Sequence, residues 1–187
     1  MHTEGIAIAV VVLAVITVIV IFNRLVRGRN LVREAWSGID VQLRRRSDLV
    51  PNLVETVKSY AVHERALFAE IAARRTSAMS ATGVPGKAAA ETDLQGSLHR
   101  LLAVAEAYPE LKASQNFIAL QRQLADLEDQ LQMARRYYNG TVRDYNIAIQ
   151  TVPDVLIAGL AGFREENFFQ ADEAVAATPS VSFEGRT

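Results

Sequence analysis

A chain of 187 residues is long enough for one domain and hardly two. Its 20 basic and 21 acidic side chains leave a net charge of −1, so no global excess points to nucleic acid or to an acidic ligand. Cysteine is absent, which excludes a disulfide framework, a thiolate nucleophile, a CxxC redox pair and every Cys-containing zinc or iron–sulfur site.

Residues 5–23, GIAIAVVVLAVITVIVIFN, carry no charge. About 18 apolar residues at ~1.5 Å each span roughly 27 Å, close to the hydrocarbon core of a bilayer. The Val and Ile content favours a strand in water, but in lipid a single segment satisfies its own backbone only as a helix. A cleaved signal peptide is the rival reading. It needs a basic n-region and a small-x-small cleavage site, whereas residues 1–4 are Met-His-Thr-Glu and no Ala-x-Ala follows the run. Arg24, Arg27, Arg29 and Arg33 stand just after the span, so the positive-inside rule predicts an N-terminus outside and the remainder in the cytoplasm of a single-pass protein of the cell membrane. The same arginines are also candidates for contact with anionic headgroups of the bilayer.

Only ten Gly and five Pro, beside abundant Ala, Leu, Glu, Gln and Arg, favour long helices. Apolar residues recur at steps of three and four from Val32 through Trp36, Ile39, Leu43, Val50, Leu53, Val57, Tyr60 and Leu67 to Ile71, interrupted by Arg46 and Glu64. Pro51, after Ser47 or Asp48 as a cap, predicts a kink or short break in that stripe. Residues 81–88, ATGVPGKA, read as a loop. A shorter helix is predicted from about Asp93 to Tyr108, ended by Pro109. The most regular stripe follows: Phe117, Leu120, Leu124, Leu127, Leu131, Ala134, Tyr138, Val142, Tyr145 and Ile149, closed by Pro153. Helices of this length cannot bury their stripes alone. The expected fold is therefore all-α: an N-terminal transmembrane helix followed by an antiparallel long-helix bundle of three to four helices. Beyond Asp154 the chain is acidic yet carries Leu156, Ile157, Leu160, Phe163, Phe168 and Phe169. Docking of this cluster on the bundle is the favoured reading over a free partner-binding segment. The division is thus residues 1–4 as an extracellular N-terminus, 5–25 as the transmembrane helix, 26–170 as the cytoplasmic bundle and 171–187 as a disordered tail.

Several strings, in order, resemble the LemA family of bacterial membrane proteins. They begin with Asn30-Leu-Val, residues 35–46 (AWSGIDVQLRRR) and residues 48–58 (DLVPNLVETVK). They continue with residues 106–117 (EAYPELKASQNF), residues 134–139 (ARRYYN), residues 144–146 (DYN) before Pro153, and the closing Gly162-Phe163 and Phe168-Phe169. Leu127 departs from the Thr that the pattern expects. The resemblance implies a single-pass protein with a cytoplasmic helical bundle and implies no enzymatic activity. It also implies, by association with membrane zinc proteases and envelope-stress proteins, a supporting role in envelope quality control.

Two polar groups invite a functional reading. Tyr138 and Tyr145, Asn139 and Asn146, and Glu128 and Arg135 are each seven apart, two helical turns, so each pair recurs on one face. The alternatives are a polar binding site and a buried hydrogen-bond network that fixes helix register, the latter favoured. Arg44, Arg45 and Arg46 form the second group, a basic surface for a phosphate or a carboxylate-bearing partner. Against it stand an ion-pair face that includes Asp40, and a bundle-internal pairing of Arg46 with an acid such as Glu128. His2, His63 and His99 are far apart and form no HExxH, and there is neither a GxSxG nor a glycine-rich phosphate loop. The chain is expected to be no enzyme and to take no metal, cofactor or nucleic acid. Its partners are the bilayer and either a foreign protein or a second copy of itself.

Overall fold

In the lipid-length segment nothing breaks a helix, and nothing breaks it afterwards until residue 58. The computed structural model, which describes residues 2–169, accordingly has one helix, α1, from His2 to Lys58. Its 57 residues extend about 85 Å at ~1.5 Å per residue. The helix continues through Pro51, correcting the break expected there. Proline lacks the N–H that would bond the carbonyl four residues back, that of Ser47. Arg75 fills the gap, donating from Nε to Ser47 O at 2.7 Å. The true interruption is residues 59–64, which contain no Gly or Pro and therefore give no turn signal. Tyr60 N and Ala61 N bond back to Val57 O at 3.0 and 2.9 Å, and Ala61 is fully buried.

Helix α2 spans Arg65–Ser80 and α3 spans Val84–Ala105. The expected loop over 81–88 is thus only three residues long, and α3 starts well before Asp93. Gly83, at φ 71°, makes the turn, while Pro85 sits in the first turn of α3 where its missing N–H costs nothing. A Gly/Pro cluster that resembles a loop is here a helix start. The turn after α3 holds a four-residue helix, α4 (Pro109–Lys112), before α5 (Gln115–Gln150). Helix α5 has 36 residues and its buried stripe is the expected one, with Leu120, Leu124 and Ala134 only half-buried.

Helices α1 and α5 run antiparallel. Residues 24–31 face 141–148, Trp36 packs on Tyr138 with ring centroids 5.5 Å apart, and Arg46 meets Glu128. Helices α2 and α3 form a hairpin on the distal half of this pair, tied by Arg74–Asp93 and Arg100–Glu70. The result is two apolar cores. A proximal one joins Ile21, Leu25, Val32, Ile39 and Leu43 to Leu131, Tyr138, Val142, Tyr145 and Ile149. A distal one joins Val50, Leu53 and Val57 to Phe68, Ile71, Leu94, Leu98, Leu101, Leu111 and Phe117. From Ile6 to Val20 the apolar side chains of α1 are exposed, as in a segment whose solvent is lipid. The bundle already grips α1 at Ile21 and Leu25, so the boundary drawn at residue 25 falls inside a continuous packed helix.

After Pro153 comes a helix that periodicity did not reveal, α6 (Asp154–Ala161), followed by an extended strap over residues 163–169. Phe163 and Phe169 are buried in the proximal core, as expected for docking, whereas Leu156, Leu160 and Phe168 are exposed. The tail assigned to residues 171–187 lies outside the described residues.

Two substitutions test this architecture by chemical denaturation. Leu131→Asp places an unpaired charge at a buried seam position and is expected to unfold the bundle, at several kcal/mol, whereas half-buried Leu124→Asp is tolerated better. Arg75→Met should lower stability by about 1–3 kcal/mol, because the Ser47 carbonyl then lies buried without a donor.

Candidate functional site

The residue that interrupts the apolar stripe of α1 sits in its core. Arg46 occupies a seam position on α1 and is 2% exposed, so it is no part of a basic surface; only Arg44 and Arg45 are exposed. The apolar seam on both sides shields its guanidinium from water. It pairs with Glu128 of α5 and reaches Glu91 of α3 at 3.5 Å. Of the two acids, Glu128 is legible as a partner in the sequence; Glu91, 1% exposed, falls between the expected loop over 81–88 and the helix expected from about Asp93, and is missed. Arg44 instead makes the i, i+4 pair with Asp40 at 2.8 Å, and Asp40 also binds Lys87 of α3. The Lys87 ammonium holds the Asp40 carboxyl below its ordinary value.

Arg135 is buried near this layer, but not against Glu128, its sequence neighbour two turns away. Its guanidinium lies 4.9 Å over the Phe169 ring instead, a cation–π contact. Burial raises the Glu91 carboxyl above its ordinary range, while the charges of Arg46 and Arg135 pull it back. Burial likewise lowers the Arg46 guanidinium, against the pull of Glu91. The layer of Arg46, Ser47 and Glu91 separates the proximal core from the distal one.

The second group sits on the proximal half of α5 and faces the strap. Asn139 donates from Nδ2 to Phe169 O at 3.1 Å, and Phe169 N donates back to Asn139 Oδ1 at 2.9 Å. Asn146 repeats the pattern with Glu166, at 2.9 Å each way. The spacing follows from geometry. Seven helical residues rise about 10.5 Å, and three extended residues cover about 10 Å, so two amides two turns apart meet backbone positions three apart. Each carboxamide acts as a peptide group at the edge of a strand. Between them the Tyr138 hydroxyl donates to Asn167 O at 2.8 Å. Burial, aided by the Glu166 charge, pushes that phenol up to about 12, so it stays a donor at neutral pH. Tyr145 packs instead against α1, where a Cβ on Gly28 would approach its Cδ2 to 3.2 Å. An alanine there would have to displace the Tyr145 ring by a few tenths of an ångström.

The four arginines after the apolar span separate similarly. Arg24 pairs with buried Asp154 at the start of α6, and Arg29 lies 4.9 Å over the Phe163 ring; Arg27 and Arg33 face outward. The polar side chains singled out by spacing therefore hold the chain to itself. Glu128, Asn139, Asn146 and Tyr138 all have intramolecular partners, and the arrangement builds helix register and a docked strap.

Removing the guanidinium tests the layer. Arg46→Met should destabilise by about 3–5 kcal/mol at neutral pH, because Glu91 is left charged and buried. An acid whose folded-state pKa lies above its unfolded one favours folding as pH falls through the folded value, and this contribution is lost as pH rises. The gap between Arg46→Met and the native chain should therefore narrow as pH is lowered from neutral, read from denaturation midpoints. For the strap, Asn139→Ala with Asn146→Ala should release residues 163–169 to fast amide exchange while the helices stay protected. Stability should fall by about 1–3 kcal/mol per amide removed.

Comparison with known proteins agrees with this frame. A family model described as LemA family matches residues 35–183. Magnetosome proteins MamQ 1 and MamQ 2 of Paramagnetospirillum magneticum (strain ATCC 700264 / AMB-1) are each 25% identical over 198 residues, which cover 92% of this chain and 72% of theirs. Magnetosome protein MamQ of Magnetospirillum gryphiswaldense is 23% identical over 192 residues, 89% of this chain and 70% of its own. The match takes in the lower half of α1, the α2–α3 hairpin, all of α5 and the docked strap, and on that extent the chain belongs to the LemA family.

Proposed function

We propose that this protein is a membrane-anchored helical scaffold that presents its bundle in the cytoplasm to a protein partner. The observation that carries the reading is the continuity of α1. One helix joins the apolar segment to the far end of the bundle, so the bundle is held at a fixed attitude to the membrane rather than tethered by a linker. The internal use of the conspicuous polar side chains supports a binding surface over a catalytic centre. Exposed apolar side chains on the bundle, Met79 on α2 and Met133 and Tyr137 on α5, offer contacts to such a partner. A supporting role in envelope quality control fits a scaffold of this kind. The relatives are magnetosome proteins by name, and a membrane-organising homo-oligomer is the second reading for this chain.

The arginines after the span support an orientation with the N-terminus outside. The absence of cysteine makes it simple to test. A membrane-impermeant maleimide should label Thr3→Cys in intact cells and Met79→Cys only after the membrane is opened; the reverse pattern would invert the topology. Photo-crosslinking from positions 133 and 137 in membranes should then capture one dominant foreign protein. Self-crosslinks alone would replace the adaptor with a homo-oligomeric organiser.

A further inference from the structure

Helix α6 is apolar all round. Between Asp154 and Arg164 the sequence VLIAGLAGF carries no charged or hydrogen-bonding side chain. Such a helix belongs in a core or in lipid. Its inner face meets the first need, since Asp154 and Ala158 are buried and Ile157 packs on the proximal core. Its outer face does not: Leu156 and Leu160, one turn apart on one side, are 66% and 88% exposed, and Val152 in the turn just before the helix is 82% exposed. The level of α6 along α1 indicates what covers that face. Phe163 packs edge-on against Phe22 at 5.8 Å, in the last turn of the apolar span, and Asp154 is paired with Arg24, the first residue beyond it. Thus α6 lies within about one helical turn, 5.4 Å, of where α1 leaves the hydrocarbon. The headgroup region on each side of a bilayer is about 5–7 Å deep. The pairing with Arg24 also neutralises the single acid of the helix, and exposed Arg27 stands at the same level, facing outward where anionic headgroups lie.

We propose that α6 is a second membrane contact: Leu156 and Leu160 enter the headgroup–acyl boundary of the leaflet from which α1 emerges. The inference rests on the reading of α1 as a membrane anchor and goes beyond it. The bundle then touches the bilayer at two places, which fixes its rotation about α1 as well as its height.

The test uses the full chain in vesicles of phosphatidylethanolamine and phosphatidylglycerol, with single cysteines carrying an environment-sensitive fluorophore. At Leu160→Cys, emission should shift to the blue and be quenched about two-fold by lipids spin-labelled high on the acyl chain, as expected for a probe seated about 5–10 Å deep. Leu156→Cys repeats the measurement should the first variant disturb folding, which circular dichroism checks. Tyr137→Cys, about 20 Å farther along the bundle by helical rise, should stay unquenched. Val12→Cys, mid-span, should be quenched by lipids labelled deep in the chain. Failure at Val12 would overturn the anchor itself. Quenching at Val12 but not at either leucine position would overturn the α6 contact alone. Leucine probes quenched by a spin-labelled second copy, and not by lipid, would assign the face to self-association instead.

Discussion

The fold depends on a charge placed where its neighbours would predict a hydrophobe. A guanidinium inside a helical seam loses most of its hydration, and only close carboxylates in good geometry offset that loss. Arg46 has two, one from α3 and one from α5, and both are within reach only when the three helices stand in a single register. Sliding α5 by one turn along α1 would move Glu128 about 5.4 Å away and bury an unpaired cation. Leucine against leucine tolerates such slippage far better. The ion layer thus sets the register, and the apolar seams on either side supply the stability that the ion pairs themselves do not add.

That register places the next device. With α5 fixed against α1, Asn139 and Asn146 face the groove where the chain returns after α6. The strap follows the left-handed turn at Gly162 and runs extended because each carboxamide satisfies both backbone groups of one residue, as a neighbouring strand would. The aromatic rings of Phe163 and Phe169 then fill the proximal core at its two ends, one under Arg29 and one under Arg135. Helix–helix packing, an amide ladder and two cation–π contacts are consequences of one alignment.

The long elements were legible because length makes periodicity unmistakable. The α5 stripe appears in the sequence nearly as it is buried, and the seven-residue repeat of Asn139 and Asn146 marked the face that the strap covers. What escaped has physical reasons. Pro51 signals a break only if nothing replaces its lost hydrogen bond, and the replacement comes from Arg75 on another helix, which no local pattern reveals. The turn at residues 59–64 uses ordinary residues because burial of Ala61 holds it. Helix α6 has no polar face, so its periodicity is flat. Glu91 was hidden because Gly83 and Pro85 open a helix that local chemistry reads as a loop. Within the ion layer, Arg46 and Glu128 were visible as exceptions to a stripe, while Glu91 required the third dimension.

The bracing of Pro51 matters beyond local geometry. Lys58 stands 35 residues past Asn23, about 50 Å along an unbroken helix. A proline with an orphaned carbonyl in that rod would be its natural hinge, since unsatisfied helical carbonyls tilt outward and admit bending. Arg75 closes the site from the α2 side, so the hairpin that builds the distal core also stiffens the rod that carries it. The proximal end is held by different means, through Arg24–Asp154 and the packing of Phe163 on Phe22. A helix fixed at both ends and splinted in the middle delivers the distal surface to one distance from the membrane. For a scaffold, that distance is a recognition element in its own right: a partner must present its complementary face at that height, and freedom to bend would erase the distinction.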